Sequence, residues 1–459
     1  MSSMRSLVTL ARRITVAALP LTLGACKDSF VPNYNDPSID PSITSAAQLQ
    51  PLATGLVTGD REQHAFQILI QETMGRDALR LDAADPRYVS NPLQGFDASA
   101  FITNFLWLSH YRTIRGAIEL SRSVDASPLS AQEKAATKGF ARTIQALEYI
   151  RLVEMRDTLG LPINTGGGEV AAIRCKPIVL AYISSLLDSA ATDLAAGGAA
   201  FPFSLPSGFR SNGTFDTPPT FLKFNRALKA KNEMYRGFIS YAKNQTVDAT
   251  ALNAALAALD ASFYGTAVPF RDGVYHVYST ASGDLTNSNF DQSVYRANPK
   301  VLSEADAGDR RLSKVNQVPS STRTTQGVTS DILFTNISGP TTPLPIVINE
   351  ELILVRAEVL WGLGRDAEAL ALSNQVRTTS GGLTATTPAN HLALLREILK
   401  QKRYSLLYES PSRFIDIRMF GLLSDLGPKE SAQFTDTFPL AVPFPQTEQD
   451  ARSGQLSCS

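Results

Sequence analysis

The stretch from residue 101 to residue 157 constrains this chain most. Between Phe101 and Val124, the residues Leu108, Tyr111, Ile114, Ile118 and Ser121 recur at intervals of three to four. That is the spacing of a helix with one covered face. Ser130-Ala131-Gln132-Glu133 follows. A serine with glutamate three positions on satisfies two free backbone N–H groups at a helix start. The next apolar face runs through Phe140, Ile144, Leu147, Ile150 and Val153 to about Asp157, and Gly160 and Pro162 end it. Two long helices joined by a short polar turn fold back on each other as an antiparallel pair.

The pattern recurs along the chain. Ser45–Val57 reads as a first helix closing near Gly59, and Arg61–Met74 as a second, with Phe66, Leu69, Ile70 and Met74 on one face. From Gly75 to about Ala98 the chain turns polar, and Asp85-Pro86 and Asn91-Pro92 mark it as irregular. Pro177–Ala196 and Lys223–Lys243 make another pair, followed by an Ala-rich helix over Ala249–Ser262. Residues 264–345 are rich in Thr, Ser, Asn, Gly and Pro and read as a loop-like insertion, a length that in a compact protein usually carries function. Asn349–Leu363 and Asp366–Thr378 form a third pair split by Gly364-Arg365. His391–Ser410 and a short helix near Ser412–Leu423 close the helical part. The expected fold is therefore all-α, with helix pairs near 101–160, 177–243 and 349–378 and long irregular insertions. Trp361-Gly362-Leu363-Gly364 comes close to a tetratricopeptide consensus, but no strict 34-residue period runs through the sequence. The repeats are degenerate.

The N-terminus is a separate element. Residues 1–13 carry Arg5, Arg12 and Arg13 and no acid, and a short apolar run over 14–25 leads to Leu23-Gly24-Ala25-Cys26. A run of that length is too short to span a bilayer and reads as a secretory signal. The small residues before Cys26 match a bacterial lipobox, which makes Cys26 the acylated first residue of the mature chain. The expected layout is a signal peptide over 1–25, a lipidated Pro-rich tether over 26–43, and one helical domain over 44–459. The whole sequence has 43 basic and 43 acidic residues, so without its three-Arg leader the chain is slightly acidic. This excludes attraction to nucleic acid by bulk charge. Three cysteines exclude a disulfide scaffold, and His64, His110, His276 and His391 never take the i, i+4 spacing of a helical zinc site. No metal and no cofactor is expected. Cys175 and Cys458, 283 residues apart, leave a disulfide in an oxidising compartment as the alternative, and the expectation is a free buried thiol at 175 and a frayed C-terminus at 458.

The C-terminal half carries motifs. Thr342-Pro343-Leu344-Pro345 leads into Asn349-Glu350-Glu351-Leu352 and Arg356-Ala357-Glu358. Then come Asn374-Gln375-Val376-Arg377, the segment Ile398–Glu409, Arg413-Phe414-Ile415-Asp416-Ile417-Arg418, and Pro443-Phe444-Pro445. In this order they resemble the signatures of the SusD/RagB family of outer-membrane nutrient-uptake lipoproteins. The departures at Gln401, Ser405, Ser410 and Met419 mark a divergent member. The resemblance implies a non-enzymatic, lipid-anchored protein on the outer face of the outer membrane. Such a protein captures an oligosaccharide or peptide and delivers it to a TonB-dependent, SusC-like barrel transporter. The rival reading is a periplasm-facing helical-repeat scaffold lipoprotein that binds another protein. A hydrolase is disfavoured: Glu350, Glu351 and Glu358 crowd one helix with Arg356 nearby for charge pairing, and no activated nucleophile accompanies them. Gly166-Gly167-Gly168 lacks the residues of a phosphate loop and reads as a turn.

Sugars offer an apolar face to aromatic rings and hydroxyls to polar side chains. Trp107 and Trp361 sit in predicted helices and are expected in the core. The candidate ligand residues are therefore in two loop regions, Arg80, Asp82, Arg87, Tyr88 and Asn91 in one, and Tyr275, Tyr278, Tyr295 and Asn298 in the other. Their assignment rests on the analogous position of ligand groups in the family.

Overall fold

Helices carry the architecture. The computed structural model describes residues 45–165, 170–435 and 438–459. Cys26, the leader, the tether and Gly166–Gly168 lie outside the described residues. The main helices are α1 (Leu49–Met74), α2 (Arg87–Gln94), α3 (Phe101–Asp125), α4 (Ala131–Arg156), α5 (Lys176–Ala196) and α6 (Pro218–Gly237). They continue as α7 (Ala249–Asp260), α8 (Asn349–Gly362), α9 (Asp366–Thr379), α10 (His391–Ser405) and α11 (Ser412–Met419). Neighbours in sequence pack together: α3 on α4, α4 on α5, α5 on α6, α6 on α7, and α8 on α9 and α10. Ser130 caps α4, its side chain accepting from the Glu133 N–H while the Glu133 carboxylate accepts from the Ser130 N–H.

Gly59 does not end a helix. It lies inside the continuous α1, where a Cβ would stand 2.4 Å from Thr113 Oγ1 of α3. The missing side chain lets two helices touch. Small residues serve the same purpose between α4 and α5, where a Cβ on Gly139 would meet Leu194 at 2.6 Å. One apolar core runs through these layers, and Trp107 and Trp361 are both buried in it. Leu108, by contrast, is 52% exposed, although its spacing placed it on the covered face.

The segment 75–98 is more ordered than its prolines suggest. It holds β1 (Ala78–Arg80) and α2, with Pro92 inside the helix. The insertion between α7 and α8 also contains strands, each too short to show a period. After the two-residue ribbon of β2 (Leu161–Pro162) and β3 (Ile173–Arg174) come β4 (Gly273–His276), β5 (Tyr295–Ala297), β6 (Val315–Gln317), β7 (Arg323–Thr325), β8 (Val328–Ser330), β9 (Ile332–Phe334) and β10 (Leu344–Ile348). Strands β1, β5, β9 and β6 form an antiparallel sheet in that order, and β10 pairs with β4.

Charged side chains fix this insertion to the helices. Arg311 reaches Asp309, the Gln401 carbonyl and side chain, and Ser405 Oγ at 2.7–3.1 Å. Beneath the β4–β10 ribbon, His276 Nε2 lies 2.6 Å from Asp60, and Arg151 bonds both Asp60 and His64. The Glu cluster of α8 pairs differently from the sequence expectation. Lys231 takes Glu351 at 2.8 Å, Lys402 takes Glu358 at 2.8 Å and Asp416 at 2.9 Å, and Arg356 turns instead to Asp260. These carboxylates tie α6, α8, α10 and α11 together.

Cys175 and Cys458 are bridged, with their Cα atoms 4.9 Å apart. The expectation of a free thiol and a frayed end was wrong because the last residues run beside β3. The Ser459 N–H donates to the Ile173 carbonyl and the Cys175 N–H to the Ser459 carbonyl, bringing the sulfurs together.

Candidate ligand-binding cleft

Two loop regions more than 200 residues apart meet through one strand pair. In the β1–β5 register Arg80 stands opposite Tyr295. The Leu81 N–H donates to the Val294 carbonyl and extends the pairing. Behind them lies α1, and in front the first turns of α3. Asp97 sets where α3 begins: its carboxylate accepts from the Ser99 N–H at 2.9 Å and its carbonyl from the Ala100 N–H. Phe101 and Phe105, one turn apart, then project side by side.

The result is an open cleft of about 370 Å³, within the range of small-molecule sites. Phe66, Tyr88, Phe101, Phe105, Tyr278 and Tyr295 give it aromatic walls, and Arg61, Glu62, Arg80, Thr286 and Ser288 supply polar groups. Phe101 and Phe105 are 37% and 36% exposed, so ring faces are open to a ligand. The rings meet edge to face: Phe66 on Phe105 at 5.3 Å and Tyr88 on Phe101 at 5.4 Å between centroids. This arrangement holds each ring in place.

Arginines lock the walls. Arg80 stacks 3.5 Å over the Tyr88 ring and pairs with Asp82 at 2.9 Å. Arg61 donates to the Val277 carbonyl at 2.7 Å and pairs with Asp284, drawing the β4 exit loop against α1. Burial pushes the Tyr295 phenol up to about 12, against the pull of Arg80. Burial also raises Tyr88 and Tyr278, opposed by Arg80 and by Arg151 with Arg61. All three hydroxyls therefore keep their protons at neutral pH and are hydrogen-bond donors.

The predicted residues divide into three groups. Arg80, Tyr88, Tyr278 and Tyr295 line the cleft together. Asp82 and Arg87 support it: Asp82 holds Arg80, and Arg87 makes a two-point pair with Asp85 and lies 4.9 Å over Phe101 at the rim. Asn91, Tyr275 and Asn298 are placed elsewhere. Asn91 is buried in α2. The Tyr275 hydroxyl donates to the Arg271 carbonyl, and its ring packs on Ile348 and Leu406. Asn298 accepts from the Lys300 N–H and fixes the end of β5. Phe66, inside α1, and Phe101 and Phe105 were not among the predicted residues; the signal for the latter two was an apolar pair at the very start of a helix, directly after the irregular segment.

No protein-family model and no curated protein matches this chain. Solved structures do. A SusD superfamily protein from Bacteroides vulgatus superposes with a TM-score of 0.66 at 14% identity, over 89% of this chain and 98% of that one. A SusD-like carbohydrate-binding protein from the same organism gives 0.61 at 14%, over 91% and 98%. A protein whose crystal structure contains xylogluco-oligosaccharide gives 0.64 at 13%, over 88% and 96%. The chain is thus SusD-like in fold, a helical, tetratricopeptide-type architecture at low sequence identity.

Proposed function

We propose that this chain is a carbohydrate-binding lipoprotein of the cell outer membrane. It captures an oligosaccharide in the cleft between Tyr88, Phe101, Phe105 and Tyr295 and hands it to a TonB-dependent barrel transporter. The observation that carries the reading is the convergence of Arg80, Tyr88, Tyr278 and Tyr295 with exposed phenylalanine rings in one open cleft. Rings take the C–H faces of sugars, and the protonated phenols of Tyr88 and Tyr295 with Thr286 and Ser288 take their hydroxyls. One structural neighbour described as a SusD-like carbohydrate-binding protein and another crystallised with xylogluco-oligosaccharide support the ligand class. The lipobox at Cys26 supports the membrane anchor, and the Cys175–Cys458 bridge fits an oxidising compartment outside the cytoplasm. The chain acts by binding and orienting; no step of bond cleavage is assigned to it.

The test is a glycan array probed with the mature chain, followed by calorimetry on the hits. Tyr88→Ala is expected to weaken the best hit about tenfold or more, about 1.4 kcal/mol or above. Binding unchanged by that substitution places the site elsewhere. Surface proteolysis of intact cells checks the outward orientation, and a barrel co-purifying with the tagged chain checks the partner.

A further inference from the structure

The cleft has a neighbour across a single helix. Along α3, Phe101, Phe105 and Leu108 lie at i, i+4 and i+7 on one face and stay exposed at 37%, 36% and 52%. Phe101 and Phe105 belong to the cleft described above, whereas Leu108 leads into a second one of about 320 Å³. The rings of Trp107 and Tyr111 back this second cleft, 4.5 Å apart, and the Tyr111 hydroxyl donates to the Pro162 carbonyl. Arg115, Glu448 and Arg452 supply polar groups. Arg452 is committed to Glu448 and to the Ala171 carbonyl, while Arg115 is exposed with no ion pair among the described residues. Arg112, one turn nearer the first cleft, is paired with Glu62.

Exposed apolar residues gathered on one track mark an interaction surface. Charge from the Arg112–Glu62 pair and from Arg115 interrupts the track, and its apolar side chains with polar groups beside them match a chain of sugar rings. We infer that an oligosaccharide of several rings runs along α3, its one end in the aromatic cleft and its other end against Leu108, Tyr111 and Arg115. The distance along the helix from Phe101 to Leu108 is about 10 Å, given about 1.5 Å per residue. The Arg115 fork donates to hydroxyls or a carboxylate of the far sugar, which the first cleft leaves without a partner. Two subsites occupied by one ligand bind it more tightly than either alone, because the second contact is intramolecular.

This inference rests on the oligosaccharide reading and deepens it by assigning ligand length. The experiment is calorimetry with disaccharides and octasaccharides of the same linkage, cellulose-, xylan- and starch-derived, on the mature wild-type chain, Tyr88→Ala, Leu108→Asp and Arg115→Gln. The wild type is expected to prefer octasaccharide over disaccharide of the recognised linkage by about tenfold or more. Leu108→Asp and Arg115→Gln remove that preference and leave disaccharide affinity unchanged, whereas Tyr88→Ala weakens both. Leu108 and Arg115 are exposed, so neither change disturbs the core. Equal affinity for both lengths, or an unchanged preference in both α3 variants, overturns the second subsite and leaves the first cleft standing. Binding of no oligosaccharide at all overturns both.

Discussion

The helical layers and the insertion they carry are held together by different means. Between α4 and α5 the contact is made by what is missing: Gly139 has no side chain, and Leu194 fills the space. Between the insertion and α10 polar ties are added to apolar packing: Arg311 bonds the Gln401 carbonyl and side chain and Ser405 Oγ, beside Val301 and Val315 packed in one cluster with Tyr404. Apolar packing is short-ranged and periodic, so it shapes a rigid stack. Arginine straps reach across irregular backbone and leave the loop outline free, which suits a surface that must fit a ligand. The helical layers therefore read as repeats and the insertion over 264–345 as loops.

Breaking a strap gives the largest effect. Arg311→Ala leaves the buried Asp309 carboxylate without its cation, and loss of about 3–5 kcal/mol is expected. Hydrogen exchange would localise that loss to 295–335 with α4 and α5 still protected; uniform loss would contradict the separation of the two regions. Cys458→Ser frees the tail from β3, with about 2–4 kcal/mol lost in urea unfolding. An unchanged midpoint would mean that the backbone bonds of Ser459 suffice. Gly139→Val overpacks the helical side against Leu194, with about 1–3 kcal/mol lost. Here protection should fall in α4 and α5 and persist in the β sheet.

The smallest effect is on pH dependence, where helices and insertion share a junction. His64 Nδ1 accepts from Arg151, and its Nε2–H donates to the Pro345 carbonyl of β10 at 2.7 Å. Burial, then Arg151 and His276, hold its pKa well below the ordinary 6.5, with Asp60 opposing. The unfolded chain takes up a proton here below pH 6.5 and the folded chain does not. Acidification therefore favours unfolding, and this site adds at most about 1.4 kcal/mol per pH unit. His64→Gln keeps an acceptor for Arg151 and is expected to flatten the fall in stability between pH 6.5 and 5 by that amount. Parallel curves for the two proteins would show that His64 titrates in the folded state.

The sequence disclosed these two regions unequally. The helix start at Ser130 was legible because a capping box is local, and the α8–α9 break was legible because Gly364-Arg365 interrupts a clear period. Gly59 was misread as a terminator because a glycine that ends a helix and one that lets a neighbour approach look alike in one chain. The helix over Arg87–Gln94 was hidden by Pro92. Three-residue strands carry no period, so the sheet was invisible, and with it the Arg80–Tyr295 pairing that builds the cleft. The residue types were nonetheless informative: four of the loop aromatics and arginines named from sequence do converge. Tyr275 and Asn298 lie outside the cleft, and a buried hydroxyl or amide that satisfies backbone has the same composition signal as one that meets a ligand.

The proposed seat of the sugar is the aromatic cleft. Crystals of the mature chain soaked with the strongest oligosaccharide from the array address it directly. The expected result is ring density stacked on Phe101 or Tyr88, with hydroxyls within hydrogen-bond reach of Tyr295, Thr286 or Ser288. Clear sugar density elsewhere, with that cleft empty, would contradict it.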